Sequence, residues 1–410
     1  MTVWLKLARD RQKCFFQFGG QGSGFAKELK LLHSFPEMSE FFNFSFDVIK
    51  QGLKDPLLAN SLFLQKGFDL KTWLENDTFP ENSYIENPSI SMSSILISQL
   101  AFHHYITKTI SGNANILEFI DGFIGLSQGI YPGIFISLNL KGDSYWEGVS
   151  KFITALLYFG YVFDNVYVSP KISDTVMEKA FEMDNKAPKP MAMIDGLPHE
   201  ILLQKINQYN KNKKRNLEIS IVNNGISNII SGPEDLIVDF RLQHKKNFDA
   251  KKILWRYLSC SVPFHTQYYQ AGYDLFHTLV KKVKFDYLGS DLQKPVYSTF
   301  DGTSLNCIGK LVMPLYLLNS TYNINWPVCV QRIADSPDIS HVFDFGPGSA
   351  TAYITKKLLT NYPIEVIKAS RKNNLLKYFM NNDSRPDQLD IQTSRLRSNH
   401  TNQIPHACTA

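Results

Sequence analysis

Ser127 stands between two glycines in Gly125-Leu126-Ser127-Gln128-Gly129, with apolar runs at 116–124 before this pentapeptide and 130–140 after it. A strand, a tight turn and a helix produce this pattern. The glycines let the backbone turn sharply and approach its neighbours, which leaves Ser127 Oγ at the head of a helix. There the helix dipole and free N–H groups favour developing negative charge, as an acyl-accepting serine requires. Two glycines and a serine at this spacing also arise by chance, so the rest of the chain must supply a base and an oxyanion hole.

Two further segments are candidates. Residues 14–18 have strand character and end in Gly19-Gly20-Gln21-Gly22-Ser23-Gly24, which is neither a G-x-G-x-x-G nor a lysine-bearing phosphate loop. These glycines either make a plain strand-to-helix turn or bring backbone N–H groups to a reacting centre, Gln21 offering one of them. In Val262-Pro263-Phe264-His265 a histidine follows a proline at the entrance to a helix expected over 268–283. Such a histidine is more often a cap or core residue than a base, and His265 becomes a base only in company with the other segments. His103 and His104 point different ways on a long helix over 90–108, where Ser89 or Ser91 could cap, and read as structural. His244, His277 and His341 carry no pattern.

The surrounding chain of 410 residues, 44% hydrophobic and 20% charged, has the composition of a soluble globular protein with a large core. No signal peptide or membrane-length apolar run is legible, and a cytoplasmic protein is expected, without membrane contact. Cys14, Cys260, Cys307, Cys329 and Cys408 are scattered, which implies no metal site and fits a reducing compartment. The net charge is +5, and basic residues cluster from Lys205 to Arg215 and from Lys245 to Arg256. They form either a solvated face or a docking surface for an acidic carrier protein; nucleic acid is the weaker reading. After Pro188 and Pro190 the elements shorten to a strand at 191–194, a helix at 199–209, strands at 217–223 and 228–232, and a helix at 233–243. This β-α-β-β-α order suggests a small ferredoxin-like insertion that splits a larger domain. From 381 the chain is polar, and a disordered tail is expected.

Four segments occur in the order of one family. Phe18-Gly19-Gly20-Gln21-Gly22, the Ser127 pentapeptide, Val262-Pro263-Phe264-His265 and Asp344-Phe345-Gly346-Pro347-Gly348 resemble the acyl-CoA:acyl-carrier-protein (malonyl/acetyl) transacylases. Ser127-Gln128-Gly129, Trp146-Glu147, Ile229-Ile230-Ser231-Gly232-Pro233 and Thr299-Phe300-Asp301-Gly302 resemble the acetyltransferase domain of the fungal-type fatty acid synthase β subunit. The starter-unit transacylase domain of polyketide synthases is a near relative. The resemblance covers 14–370. It implies an α/β-hydrolase-like large subdomain, 14–187 and 259–380, with a ferredoxin-like small subdomain over 188–258 and the tail from 381.

The resemblance also implies chemistry. Ser127 would attack an acyl-CoA thioester with His265 as general base, and the backbone N–H groups of Gln21 and Gln128 would hold the oxyanion. The acceptor is the phosphopantetheine thiol of an acyl carrier protein, other synthase subunits are prospective partners, and no permanently bound cofactor is needed. The family orients its histidine through the segment before a conserved tryptophan, where Asn319 is the candidate. Leu126, Phe159 and Asn223 are the pocket residues. Malonyl-specific members place an arginine where Phe159 stands, so an uncharged short acyl group, acetyl first, is expected. Leu126 replaces the family's usual histidine, and Ile130 a common acidic residue. Two other readings use the same residues. One is a serine esterase, with Asp235 or Asp239 as the acid its triad needs between serine and histidine. The other is a weakly active relative that binds a carrier or synthase.

Overall fold

The computed structural model describes residues 3–109, 115–167, 170 and 172–379. The polar tail expected from 381 lies outside the described residues. Four parallel strands form the first sheet in the order β2-β1-β8-β9: β1 (Lys13–Phe18), β2 (Ile120–Gly125), β8 (Ile339–Asp344) and β9 (Glu365–Lys368). Residues Cys14 to Phe18 of β1 are buried on both faces, as a central parallel strand requires, so the segment reads as continuous rather than alternating hydrophobicity. β1 and β2 finish level, Phe18 opposite Gly125. The Gly19 loop and the Ser127 turn therefore leave the sheet side by side.

The helix Pro88–Thr109 is buried around most of its girth and packs against the long helix Asp143–Val166. Two of its buried serines, Ser93 and Ser94, turn their hydroxyls back onto the backbone and donate to the Ile90 carbonyl, so they occupy the core with their polar groups satisfied, whereas the buried Ser98 hydroxyl has no partner among the described residues. The two helices touch at Gly160, where a Cβ would stand 2.2 Å from the Pro88 carbonyl oxygen.

The second sheet has the order β6-β3-β5-β4-β7: β3 (Met191–Asp195), β4 (Glu218–Asn224), β5 (Ser227–Ser231), β6 (Leu254–Tyr257) and β7 (Ile324–Asn325). One face is covered by the helices His199–Asn210 and Glu234–Ala250, with Leu202, Ile206, Ile237 and Phe240 in a core of their own. This arrangement corrects the expected architecture of a hydrolase-like domain with a ferredoxin-like insertion. β7 arrives from beyond the supposed insertion and adds to β4 in parallel, making the sheet mixed and five-stranded. Met191, Ile221 and Ile229 on its other face belong to the same core as the first sheet. The pattern misleads because a short two-residue strand carries no periodicity, and only its pairing shows which sheet it completes. The expected helix over 268–283 is likewise broken, into a 3-10 segment (Gln267–Gly272), the helix Tyr273–Val280 and a further 3-10 turn.

Gly160→Ala would force the helices Pro88–Thr109 and Asp143–Val166 apart. A loss of about 1–3 kcal/mol in urea-unfolding free energy is expected, the range for overpacking a close-packed core; an unchanged midpoint would show that the helices can separate freely.

Candidate active site

Ser127 closes the turn after β2 with φ +55°, in the left-handed region that a residue with a side chain rarely adopts. The turn is held by backbone contacts that leave no room for side chains. A Cβ on Gly125 would stand 2.0 Å from the Gly129 carbonyl carbon, and one on Gly129 would stand 2.4 Å from the Phe18 carbonyl oxygen. Gly20 makes a third such contact, 2.4 Å from the Leu126 carbonyl oxygen to its would-be Cβ. The two loops are thus pressed together at van der Waals distance, with Leu126 N–H donating to the Phe18 carbonyl at 2.9 Å. A 3-10 turn (Ser127–Gly129) runs straight into the helix Ile130–Ser137, so Gln128 lies in a first turn whose N–H groups have no acceptor within the helix.

Ser127 Oγ lies 2.8 Å from His265 Nε2, and His265 Nδ1 lies 2.9 Å from the Tyr322 carbonyl oxygen. That carbonyl only accepts, so Nδ1 carries the proton and the Nε2 lone pair faces the serine hydroxyl. His265 is almost wholly buried and has φ +60°. Burial pushes it down to about 4, against the raising effect of its bond to Tyr322. The imidazole is therefore neutral and a competent proton acceptor at neutral pH.

The histidine is oriented by the backbone of the segment before Trp326, not by Asn319. The Asn319 amide is buried and donates to the Leu315 carbonyl at 2.9 Å, a bond within its own helix. Nor does a carboxylate complete a triad. Asp235 pairs with Arg215, and Asp239 is held by Tyr209 and Lys213 on the far side of the second sheet. The same pairings, with Lys245 on Asp249, neutralise part of the basic region within its own surface.

A pocket of about 120 Å³ opens over the serine, between the Gly20 and Leu126 loops and the face of the second sheet that the helices leave uncovered. Its sheet wall is a row in register across four strands: Arg256, Met193, Ile229 and Ile221. Leu126 and Asn223 line it as expected; the Asn223 amide is buried and its Oδ1 has no partner. Phe159 does not line it. It lies fully buried among Tyr131, Phe163, Phe276 and Tyr316, and reaches the pocket only through Phe163, which packs on Phe264. The resemblance that sets Phe159 at the place of an arginine does not reveal that a second aromatic layer stands between it and the pocket. Cys260 also lines the pocket, but burial raises its thiol to about 12 and excludes it as a nucleophile. Among the described residues no group of three or more His, Cys, Asp or Glu side chains is placed to hold a metal ion, and no helix is long and apolar enough to cross a membrane.

Three sets of contacts at the site have no signature in the sequence. Gln99 Nε2 donates to the carbonyls of Gly19 and Gly346, each at 2.7 Å, and ties the loops after β1 and β8 to the helix Pro88–Thr109. Ser91 and the Met92 carbonyl, on the first turns of that helix, meet the side chains of Gln21 and Gln128. The Tyr322 carbonyl is the third, because backbone acceptors are open to any residue type.

The chain and its fold are similar to known proteins. The chain is 26% identical over 358 residues to the fatty acid synthase subunit beta of Saccharomyces cerevisiae, covering 82% of the chain and 17% of that protein. It is 28% identical over 378 residues to that of Gibberella zeae, covering 87% and 18%. In sequence the chain is thus similar to a stretch of the fungal fatty acid synthase β subunit. It spans less than a fifth of the length of these curated relatives. No family model matches the chain. Among solved structures, FabD from Acinetobacter baumannii superposes with a TM-score of 0.64 at 14% identity, covering 94% of this chain and 99% of that one. A malonyl-transacylase crystallised with a type II polyketide acyl-carrier protein gives 0.64 at 15% identity, covering 90% and 99%. The architecture is therefore the α/β transacylase fold, with its two sheets around one pocket, in place of a hydrolase-like domain with an insertion.

The depressed His265 sets a pH dependence. Protonation at Nε2 abolishes the acceptor, so reaction of Ser127 with an activated ester such as p-nitrophenyl acetate is fully retained above the histidine's own pKa. Its acid limb is expected near pH 4 rather than at the ordinary histidine value of about 6.5. A limb at 6.5 or higher in burst kinetics would contradict the burial of the imidazole.

Proposed function

We propose that the chain is an acyltransferase that moves a short uncharged acyl group, acetyl first, from coenzyme A to the phosphopantetheine thiol of an acyl carrier protein, in fatty acid or polyketide synthesis. The observation that carries this reading is the 2.8 Å contact between Ser127 Oγ and a buried neutral His265, at the head of a helix and beneath an apolar pocket. Ser127 Oγ attacks the thioester carbonyl as its proton passes to His265 Nε2. The oxyanion faces the backbone N–H groups of Gln128 and Gln21, in a role where one donor contributes about 2.7–4 kcal/mol of transition-state stabilisation. Collapse breaks the C–S bond, and His265 returns the proton to the departing thiolate. The carrier thiol then gives its proton to His265 and attacks the seryl ester; collapse breaks the ester C–O bond, His265 returns the proton to Ser127 Oγ, and the acyl group leaves on the carrier sulfur. The Tyr322 carbonyl keeps the imidazole in one tautomer throughout, so no carboxylate partner is required.

The preference for an uncharged group rests on the walls beside the serine. Leu126 and Phe264 are apolar, and the aromatic layer of Phe163 and Phe159 lies behind them. A free carboxylate buried there would lack a cationic partner. Arg256 is the one charged side chain among the pocket's described lining, and it stands on the second sheet. The triad drawn for an esterase is not formed, because Asp235 and Asp239 are engaged by Arg215 and by Tyr209 and Lys213.

Intact-mass spectrometry after brief incubation with acetyl-, malonyl- and hexanoyl-CoA tests the proposal. Acetyl-CoA is expected to add an acetyl mass that is absent in Ser127→Ala and passes to a holo carrier protein, with malonyl-CoA at least about tenfold slower, given that burying an unpaired charge costs several kcal/mol. Hydrolysis without transfer would establish an esterase, and no adduct from any donor would leave only a binding role. Asp239→Asn is expected to leave acylation within about twofold, since surface substitutions away from the site have small effects; a thousandfold loss would restore the triad.

A further inference from the structure

Between the two loops that bear the backbone donors runs a chain of side-chain hydrogen bonds. Gln128 Nε2 meets the Met92 carbonyl at 2.8 Å, Gln21 Nε2 meets Gln128 Oε1 at 2.6 Å, and Ser91 Oγ lies 2.9 Å from Gln21 Oε1. The direction of this chain is determined at one end. A carbonyl can only accept, so the Gln128 amide nitrogen must face Met92 and its oxygen must face Gln21. Gln21 then presents its nitrogen to Gln128 and its oxygen to Ser91, which must donate. The Ser91 hydroxyl also lies within reach of the Glu86 and Asn87 carbonyls, but the Gln21 oxygen is the nearest acceptor and the one that completes the series.

Both ends of the series rest on the first turns of the helix Pro88–Thr109, and those turns are themselves anchored. Ser89 N–H and Oγ donate to Asp164 Oδ2 at 2.8 and 2.6 Å, from the helix Asp143–Val166. Gln128 is wholly buried, so its amide has no water to substitute for a lost partner. The main chain of Gln21 belongs to a glycine-rich loop, and that of Gln128 to the 3-10 turn that leads into the helix Ile130–Ser137. Their relative placement is what an oxyanion site needs held to within about half an ångström.

We propose that Ser91, Gln21 and Gln128 form a latch that positions the two oxyanion N–H groups, with Ser91 and the Gln128 side chain as positioning residues. The inference rests on the assignment of those N–H groups to the oxyanion, and it goes beyond that assignment to what holds them.

The test compares Gln128→Met, which keeps the length of the side chain and removes both bonds, with Ser91→Ala and with the double variant. Single-turnover acylation of Ser127 is followed with acetyl-CoA and with p-nitrophenyl acetate, beside thermal unfolding. Gln128→Met is expected to slow acylation about tenfold, part of the 10²–10³ that follows outright loss of a donor, with KM within about twofold. Ser91→Ala should slow it about threefold, and the double variant should be no slower than Gln128→Met alone, because the series is already broken. Rates unchanged in both single variants, effects confined to KM, or losses that multiply in the double variant would each overturn the latch. Should Gln128→Met fail to fold, Ser91→Ala and Ser91→Thr decide it: a rate lost with alanine and restored with threonine supports the donated hydrogen bond, and a rate unmoved by alanine refutes it. Reaction of the wild type with the ester but not with acetyl-CoA would sink the proposed donor while leaving the latch measurable. Reaction with neither would overturn both.

Discussion

The structure depends on the absence of side chains where three backbone segments meet. Gly20, Gly125 and Gly129 let the loop after β1, the end of β2 and the start of the following helix come within contact distances that a single methyl group would prevent. That closeness makes the left-handed turn at Ser127 sustainable. A residue with a side chain in this region costs of order 1–3 kcal/mol, and it persists only where its surroundings over-determine it. His265 carries the same burden with φ +60°. Both halves of the reactive pair are thus held in disfavoured backbone conformations by the packing around them.

The helix Pro88–Thr109 is the platform for that packing. It is buried around most of its girth, and three of its polar groups hold loops: Gln99 on the carbonyls of Gly19 and Gly346, Ser91 on Gln21, and the Met92 carbonyl on Gln128. A second buried network supports the opposite rim. Gln17 of β1 bonds the Asp344 carboxylate of β8, which in turn accepts from Gly346 N–H, and Thr355 and Trp326 extend the series. Burial raises Asp344 to about 7 despite those bonds. The Asp-Phe-Gly-Pro-Gly segment therefore has a structural task, shaping the loop that faces Gly19.

The chemistry follows from burial more than from charge. His265 has a carbonyl rather than a carboxylate behind it, so its basicity is set by desolvation, and its tautomer by a backbone group. A dyad of this kind supplies a base without placing a negative charge in an apolar pocket, whose floor is formed by Met193, Ile229 and Ile221. Phe159 illustrates the opposite limit of reasoning by position. Its residue type argues against a buried cation beside the elbow, yet the side chain lies a layer behind the pocket and shapes it only through Phe163 and Phe264.

Ser127 was legible from the chain alone as a candidate, because a glycine-flanked serine between a strand and a helix is a local pattern with a local physical cause, whereas His265 was singled out only in company with the other segments. The strand at Cys14 to Phe18 was legible for the same local reason, as an apolar run ending in a glycine-rich turn. Three matters were decided only by the tertiary structure. The second sheet is completed by Ile324–Asn325, too short to carry a period, so the apparent insertion is part of a mixed sheet sharing a core with the first. The partner of His265 is a main-chain oxygen, which leaves no trace in residue type, and Asn319 is turned back onto its own helix. Ser91, Met92 and Gln99 meet the loops across long separations in sequence, since hydrogen bonds are satisfied by proximity in space and proximity is settled by how the helices pack.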